Sequence, residues 1–127
     1  TWRGQEGEEW NSKTSTFLQV MVSIQSLIMV EDPYFNEPGY EEKMNSPKGK
    51  LKTDKYNQNL YHHTIKLAMI DMIKEPPNGF ESVVNNHFKI KKNEIKNNTL
   101  VWEQNATENK SVINANRKEL IELLDKL

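Results

Sequence analysis

One stretch constrains this chain more than any other: FLQVMVSIQSLIMV, residues 17–30, closed off by Glu31, Asp32 and Pro33. Phe17, Val20, Met21, Ile24, Leu27 and Ile28 recur at three- and four-residue spacing, the period of a helix with one apolar stripe, so this stripe is expected to be buried. Thr16 stands just ahead with Gln19 three residues on, the arrangement in which a hydroxyl caps the first turn and an amide reaches back. The residue before a proline is pushed out of helical geometry, so this helix must stop by Asp32. Gln19, Ser23, Gln25 and Ser26 interrupt the run, which is too short and too polar to span a bilayer.

The surrounding chain is polar. Of its 127 residues 35% are hydrophobic and 28% charged, with a mean hydropathy of -0.82, so the core must come from a few concentrated segments of one domain or a piece of one. Lys plus Arg number 17 against 18 Asp plus Glu, a balance that favours neither nucleic acid nor an anionic membrane surface as partner. With no cysteine, these residues supply no disulfide, thiolate zinc site or thiol nucleophile. The start, TWRGQEGEEW, has acids where a secretory leader would be basic and then apolar, which reads as an intracellular, cytoplasmic chain. Thr1 in place of an initiating Met suggests that something precedes it. The Asn-x-Ser/Thr triplets at Asn97, Asn105 and Asn109 read as chance in an Asn-rich chain.

Residues 1–15, with Trp2 and Trp10, read as loop. Beyond the first helix, KMNSPKGKLKTDK at 43–55 is basic, with glycine and proline and little to bury, and is expected to be an exposed mobile loop. Asp54 is the expected cap of a second helix whose stripe is Tyr56, Leu60, His63, Leu67, Ile70 and Ile73, ended by Pro76 and Pro77. Two weakly helical segments follow, one with Phe80, Val83, Val84 and Phe88, the other with Ile90, Ile95 and Trp102. At the end, Ile113, Leu120, Leu123, Leu124 and Leu127 mark an amphipathic helix. No strand pattern or internal repeat stands out.

Chemical signatures are few. His62 and His63 are adjacent, which on a helix points them roughly 100° apart, so they do not form a metal-chelating pair; no metal site and no cofactor is expected. No phosphate-cradling glycine loop or Ser/His/Asp order is present. Lys48, Lys50 and Lys52 read as a solvated charge run, and the C-terminal leucine stripe as packing within its own domain.

What remains is VEDPYFNEPGYEEK, residues 30–43, which puts two tyrosines and a phenylalanine where a few small polar residues would make the connection. FLQVMVSIQSLIMVEDPYFNEPGYE at 17–41, with TW.G at 1–4, Trp10, Tyr56-Asn57 and FESVVNNHF followed by EI, resembles the C-terminal half of a ubiquitin-conjugating domain. The likeness is strongest to the large conjugating enzymes related to the giant inhibitor-of-apoptosis type; it is very specific over 17–41 and fades after Trp102.

The resemblance implies an α+β parent fold of which this chain is the mainly helical part, with 1–104 in the conjugating domain and 105–127 a helical extension. It implies a catalytic cysteine and an oxyanion-stabilising His-Pro-Asn motif ahead of Thr1, and a preceding sheet as natural cover for Phe17, Met21 and Ile24, so that this chain alone is expected to expose them and to be inactive. Glu37-Pro38 matches the acid-Pro pair beside the thioester that orients an incoming lysine, with Asn36 a weaker candidate on the same rim. Gln19, Val22, Ser23 and Ser26 match the helix face against which donor ubiquitin folds back. Asn11, Ser12 and Lys13 stand where the family commonly has the Ser-Pro-Ala that grips a ligase. The implied partners are ubiquitin, its activating enzyme and a substrate protein. Two other readings stay open: a cysteine-less ubiquitin-binding or regulatory variant, and a helical interaction module. Whether the chain belongs to an enzyme is left unsettled by these residues.

Overall fold

The computed structural model describes residues 9–127, so the 1–4 motif with Trp2 lies outside the described residues. Helix α1, Phe17–Ser23, runs on as a π-helical turn, Ile24–Ile28. Short 3-10 turns at Pro33–Asn36 and Glu41–Lys43 lead to α2, Pro47–His63, which widens into a π-helical stretch at Thr64–Ile70 and finishes as α3, Asp71–Lys74. Then come α4, Glu81–Asn105, and α5, Lys110–Lys126. Among the described residues there is no strand.

The capping box forms as its residues dictate. The Gln19 amide N–H donates to Thr16 Oγ1 at 3.3 Å, and the Thr16 N–H to Gln19 Oε1 at 2.7 Å. The stripe beyond it is not buried: Phe17 is 73% exposed, and Val20, Met21, Ile24, Leu27 and Ile28 are exposed as well. A one-sided helix needs a second layer, and no element among the described residues supplies one. The uncovered Phe17, Met21 and Ile24 agree with the expectation drawn from the resemblance.

The core lies in the C-terminal half. Ile65 and Ile70 of the π-helical stretch meet Phe88 and Ile95 of α4 and Ile113, Leu120 and Leu124 of α5. Here α5 follows the expected stripe, while α4 replaces the two expected segments with one uninterrupted rod of 25 residues. No glycine or proline breaks it, and Phe88, Ile95 and Thr99 share its buried face. The buried Thr99 hydroxyl donates to the Ile95 carbonyl at 2.8 Å, so it carries no unmet polar group inside. Ile90, expected on the stripe, is 81% exposed, and Phe80 and Val83 are exposed too.

Two expectations about α2 fail for physical reasons. Residues 47–55 are helix rather than loop, because Ser46 caps the start and Pro47 takes the first position, where a missing N–H costs nothing. Ser46 Oγ accepts from the Gly49 N–H at 3.0 Å and donates to the Lys43 carbonyl at 2.8 Å, so Asp54 is mid-helix and not a cap. The stripe is met only in part: Ile70 is buried as expected, but Leu67 is 61% exposed, Tyr56 and His63 are exposed, and Thr53 and Ile65 are buried instead. A π-helical turn spends an extra residue per revolution, so a count at 3.6 loses phase within Thr64–Ile70, where Ile65 and Leu67 lie.

A clip joins the ends of this core. Gln58 Oε1 accepts from the Thr107 N–H at 2.9 Å, the Thr107 hydroxyl at 2.8 Å and the Glu108 N–H at 3.2 Å, tying the entry of α5 to α2. Between α4 and α5, Glu103 accepts from Asn114 and pairs with Arg117 at 3.2 Å. Asn116 Nδ2 donates to the His62 carbonyl at 3.1 Å, where the His62 ring lies 3.9 Å from that of His63.

Two predictions follow from this packing. A Cβ on Gly49 would stand 1.9 Å from the Lys43 carbonyl oxygen, a backbone atom that cannot swing away. Gly49→Ala should therefore destabilise by about 2 kcal/mol in urea unfolding, although alanine is the better helix former by about 1 kcal/mol; a gain in stability would contradict the close approach. His62 Nδ1 is buried without a partner, and burial, then His63, lowers the ring's pKa from 6.5. The unfolded chain then takes up a proton that the folded ring resists, so stability present above pH 6.5 should be lost as pH falls toward the depressed folded value. Urea midpoints at neutral and mildly acid pH should converge in His62→Gln, and an unchanged pH slope in that variant would refute the assignment.

Candidate functional site

The connection from α1 to α2 is built in three steps. The first is an exit clamp, in which the Met29 N–H closes the π-helical turn onto the Ile24 carbonyl at 3.1 Å and Asn36 Nδ2 donates to the Ile28 carbonyl at 3.3 Å. Carbonyls at a helix end lack partners within the helix, and Asn36 supplies one.

The second is an aromatic brace. Pro33 starts the 3-10 turn, Phe35 is 6% exposed, and its N–H returns to the Asp32 carbonyl at 3.2 Å. Tyr34 packs edge-on to Phe35 at 5.3 Å between centroids and against Tyr40 at 4.8 Å and Tyr56 at 5.9 Å. Such contacts stiffen a corner beyond what buried area alone provides.

The third is the corner itself, Glu37-Pro38-Gly39-Tyr40. The Tyr40 N–H donates to the Glu37 carbonyl at 3.0 Å, Pro38 fixes one φ, and Gly39 takes φ of 82°, the pairing of a type II turn. Glu37 is exposed, and its carboxylate has no ion-pair partner among the described residues.

Of the four residues matched to the ubiquitin-facing helix surface, all are exposed, but two have turned their polar atoms inward along the helix. Gln19 is spent on the capping box, and the Ser26 hydroxyl donates to the Val22 carbonyl at 2.8 Å. Val22 and Ser23 remain as open surface. Gln19 and Ser23 also edge a shallow groove of about 520 Å³ shared with Trp10, Val20, Ile24 and Leu27.

Thr53 escaped the sequence reading, and Asn57 entered it only within the matched Tyr56-Asn57 pair, with no role assigned. Thr53 Oγ1 donates to Asp32 Oδ1 at 2.9 Å, and Asn57 Nδ2 to the Glu31 carbonyl at 3.0 Å and Asp32 Oδ1 at 3.3 Å. Their four-residue spacing puts them on one helix face, a signal visible only once the helix is started at Ser46 rather than Asp54. They line a cleft of about 480 Å³ whose wall includes Asp54, Lys50 and Tyr61, the last stacked on Trp102 at 4.8 Å. Burial, then Asp54, Asp32 and Glu31, raises the Tyr61 pKa and keeps the phenol neutral.

Among the described residues no three His, Cys, Asp or Glu side chains gather as metal ligands, and no helix is long and apolar enough to cross a membrane. His62 and His63 lie at the α2–α5 contact, away from this corner's hydrogen bonds.

No family model matches the chain. It is 48% identical, over 128 aligned residues and 100% of its own length, to a probable ubiquitin-conjugating enzyme E2 of Acanthamoeba polyphaga mimivirus, of which it covers 9%. It is 47% identical over 75% of its length to the dual E2 ubiquitin-conjugating enzyme and E3 ubiquitin-protein ligase BIRC6 of Homo sapiens, covering 2% of that protein. It is 38% identical over 84% of its length to the probable ubiquitin-conjugating enzyme protein 17 of Caenorhabditis elegans, covering 15% of it. The chain thus spans a small part of these curated relatives.

The brace makes a prediction of its own. Phe35 anchors the corner but is not part of the α4–α5 core. Phe35→Ala should cost the corner about 3 kcal/mol, read as faster amide exchange at Tyr40, while the Ile113 amide keeps its protection. Equal loosening at both sites would show that corner and core are one cooperative unit.

Proposed function

The chain is a relative of the ubiquitin-conjugating enzymes, and from that premise we propose that it forms the C-terminal part of a ubiquitin-conjugating transferase domain of the large inhibitor-of-apoptosis-related type. Identity of 48% along the whole chain to a probable ubiquitin-conjugating enzyme carries this reading. In it, residues 1–104 belong to an α+β domain and 105–127 extend it; the exposed stripe of α1 supports a further layer of that domain resting there.

The reaction is transfer of ubiquitin from a cysteine thioester to a substrate lysine in the cytoplasm. The neutral amine attacks the thioester carbonyl, the C–N bond forms, the thiolate leaves and the amine's extra proton goes to solvent or a nearby base. The nucleophile comes from polypeptide outside these residues, which contain no cysteine. Glu37 orients the amine: a carboxylate on a stiff corner accepts its hydrogen bond and fixes the angle of attack. Its charge alone would favour the protonated amine, so orientation is the role assigned to it. Asn36 contributes by holding the corner to the end of the α1 rod. Val22 and Ser23, with Gln19 and Ser26 beside them, form the weak reversible face for donor ubiquitin. The activating enzyme and the substrate protein meet the complete domain.

The absence of cysteine also supports a second reading, a regulatory variant that binds ubiquitin without carrying it. A cysteine encoded shortly ahead of Thr1 decides for transfer; a sheet-forming region without one decides for the regulator.

In the protein as encoded, loaded with ubiquitin, Glu37→Gln should slow discharge to free lysine by about 10- to 100-fold and leave thioester loading unchanged. Discharge at the unaltered rate would remove Glu37 from the reaction.

A further inference from the structure

An exposed carboxylate orients an amine only if its corner is held in place, and the grip comes from residues later in the sequence. Thr53, 3% exposed, directs its hydroxyl to Asp32 Oδ1 at 2.9 Å across twenty-one residues. One helical turn on, Asn57 Nδ2 reaches the Glu31 carbonyl at 3.0 Å and Asp32 Oδ1 at 3.3 Å. The same Asp32 accepts the Phe35 N–H at its carbonyl, so its side chain belongs to α2 and its main chain to the 3-10 turn. From Asp32 to Glu37 the chain then has little freedom: Pro33 is fixed in φ, Phe35 is buried and Asn36 is tied back to Ile28.

We infer that Thr53 and Asn57, gripping the Asp32 carboxylate and the Glu31 carbonyl from one face of α2, are positioning residues that set where the Glu37 corner stands and how little it moves. The inference rests on the reading of Glu37 as the amine-orienting group. A burial requirement alone does not explain the arrangement, since valine would fill the volume of Thr53 and leave no hydroxyl to pair. A carboxylate acceptor makes each bond stronger than a neutral one and directs it to a defined point, which is what a latch requires. Thr53 and Asn57 touch no reacting atom in this scheme; they act through the turn.

The test has two readouts. In this chain, the pair Thr53→Val and Asn57→Ala should speed amide exchange at Phe35 and Tyr40 by about tenfold, with Ile65 and Ile113 unchanged and Thr53→Ser restoring most of the protection. Unaltered exchange at Phe35 and Tyr40, or equal acceleration throughout, would overturn the latch. In the encoded protein loaded with ubiquitin, the same pair should slow discharge to free lysine about tenfold at unchanged loading, again with rescue by Thr53→Ser. Glu37→Gln run alongside separates the two ideas. Slow discharge in Glu37→Gln with normal discharge in the latch variant overturns the latch, whereas normal discharge in Glu37→Gln overturns the role given to Glu37.

Discussion

The π-helical stretch at Thr64–Ile70 is the constraint on which the rest of the molecule depends. Ahead of it, α2 shows one face to the aromatic turn through Thr53 and Asn57; within it, Ile65 and Ile70 join the side chains of α4 and α5. A regular helix advances its faces by a fixed angle per residue. One widened stretch resets that angle. The corner bearing Glu37 and the C-terminal core thereby adjoin one continuous helical run from Pro47 to Lys74, although neither Phe35 nor any α1 residue belongs to that core.

What could be read from the sequence divides along the line between local and tertiary causes. The cap at Thr16, the stop at Pro76 and the stripe of α5 are decided within a few residues of chain, and each appears as its residue pattern says. The start of α2 is also local, but the Ser46-Pro47 signal is masked by lysines and a glycine that composition alone assigns to loop. Gly49 is there for contact with the Lys43 carbonyl, a fact about three-dimensional approach that composition does not carry. Across Thr64–Ile70 hydrophobic counting loses the phase because it assumes one helical period. The single rod of α4 was split in two because its exposed apolar residues, Val83 and Ile90, blur the stripe formed by Phe88, Ile95 and Thr99.

At the candidate site, residue types are legible in the sequence, while the hydrogen bonds that commit them are not. Glu37 and Val22 stand exposed, while Gln19, Ser26 and Asn36 have polar atoms engaged in holding α1 and its exit. Their engagement makes the helix face and the corner parts of one frame, in which a residue contributes by fixing its neighbour. Thr53 had no sequence signal of its own, because its partner lies far back along the chain and its helix was assigned to loop.

The clip on Gln58 bears on the order in which this polypeptide takes shape as it is made. Its three donors come from Thr107 and Glu108, about fifty residues downstream, and the faces of Ile65 and Ile70 are closed by side chains of α5. A chain emerging from the ribosome therefore offers these two isoleucines only Phe88 and Ile95 of α4 until α5 has cleared the exit tunnel. Until then the earlier helices lack the side chains that complete this core, and a stop codon shortly before residue 110 would leave them without a keystone.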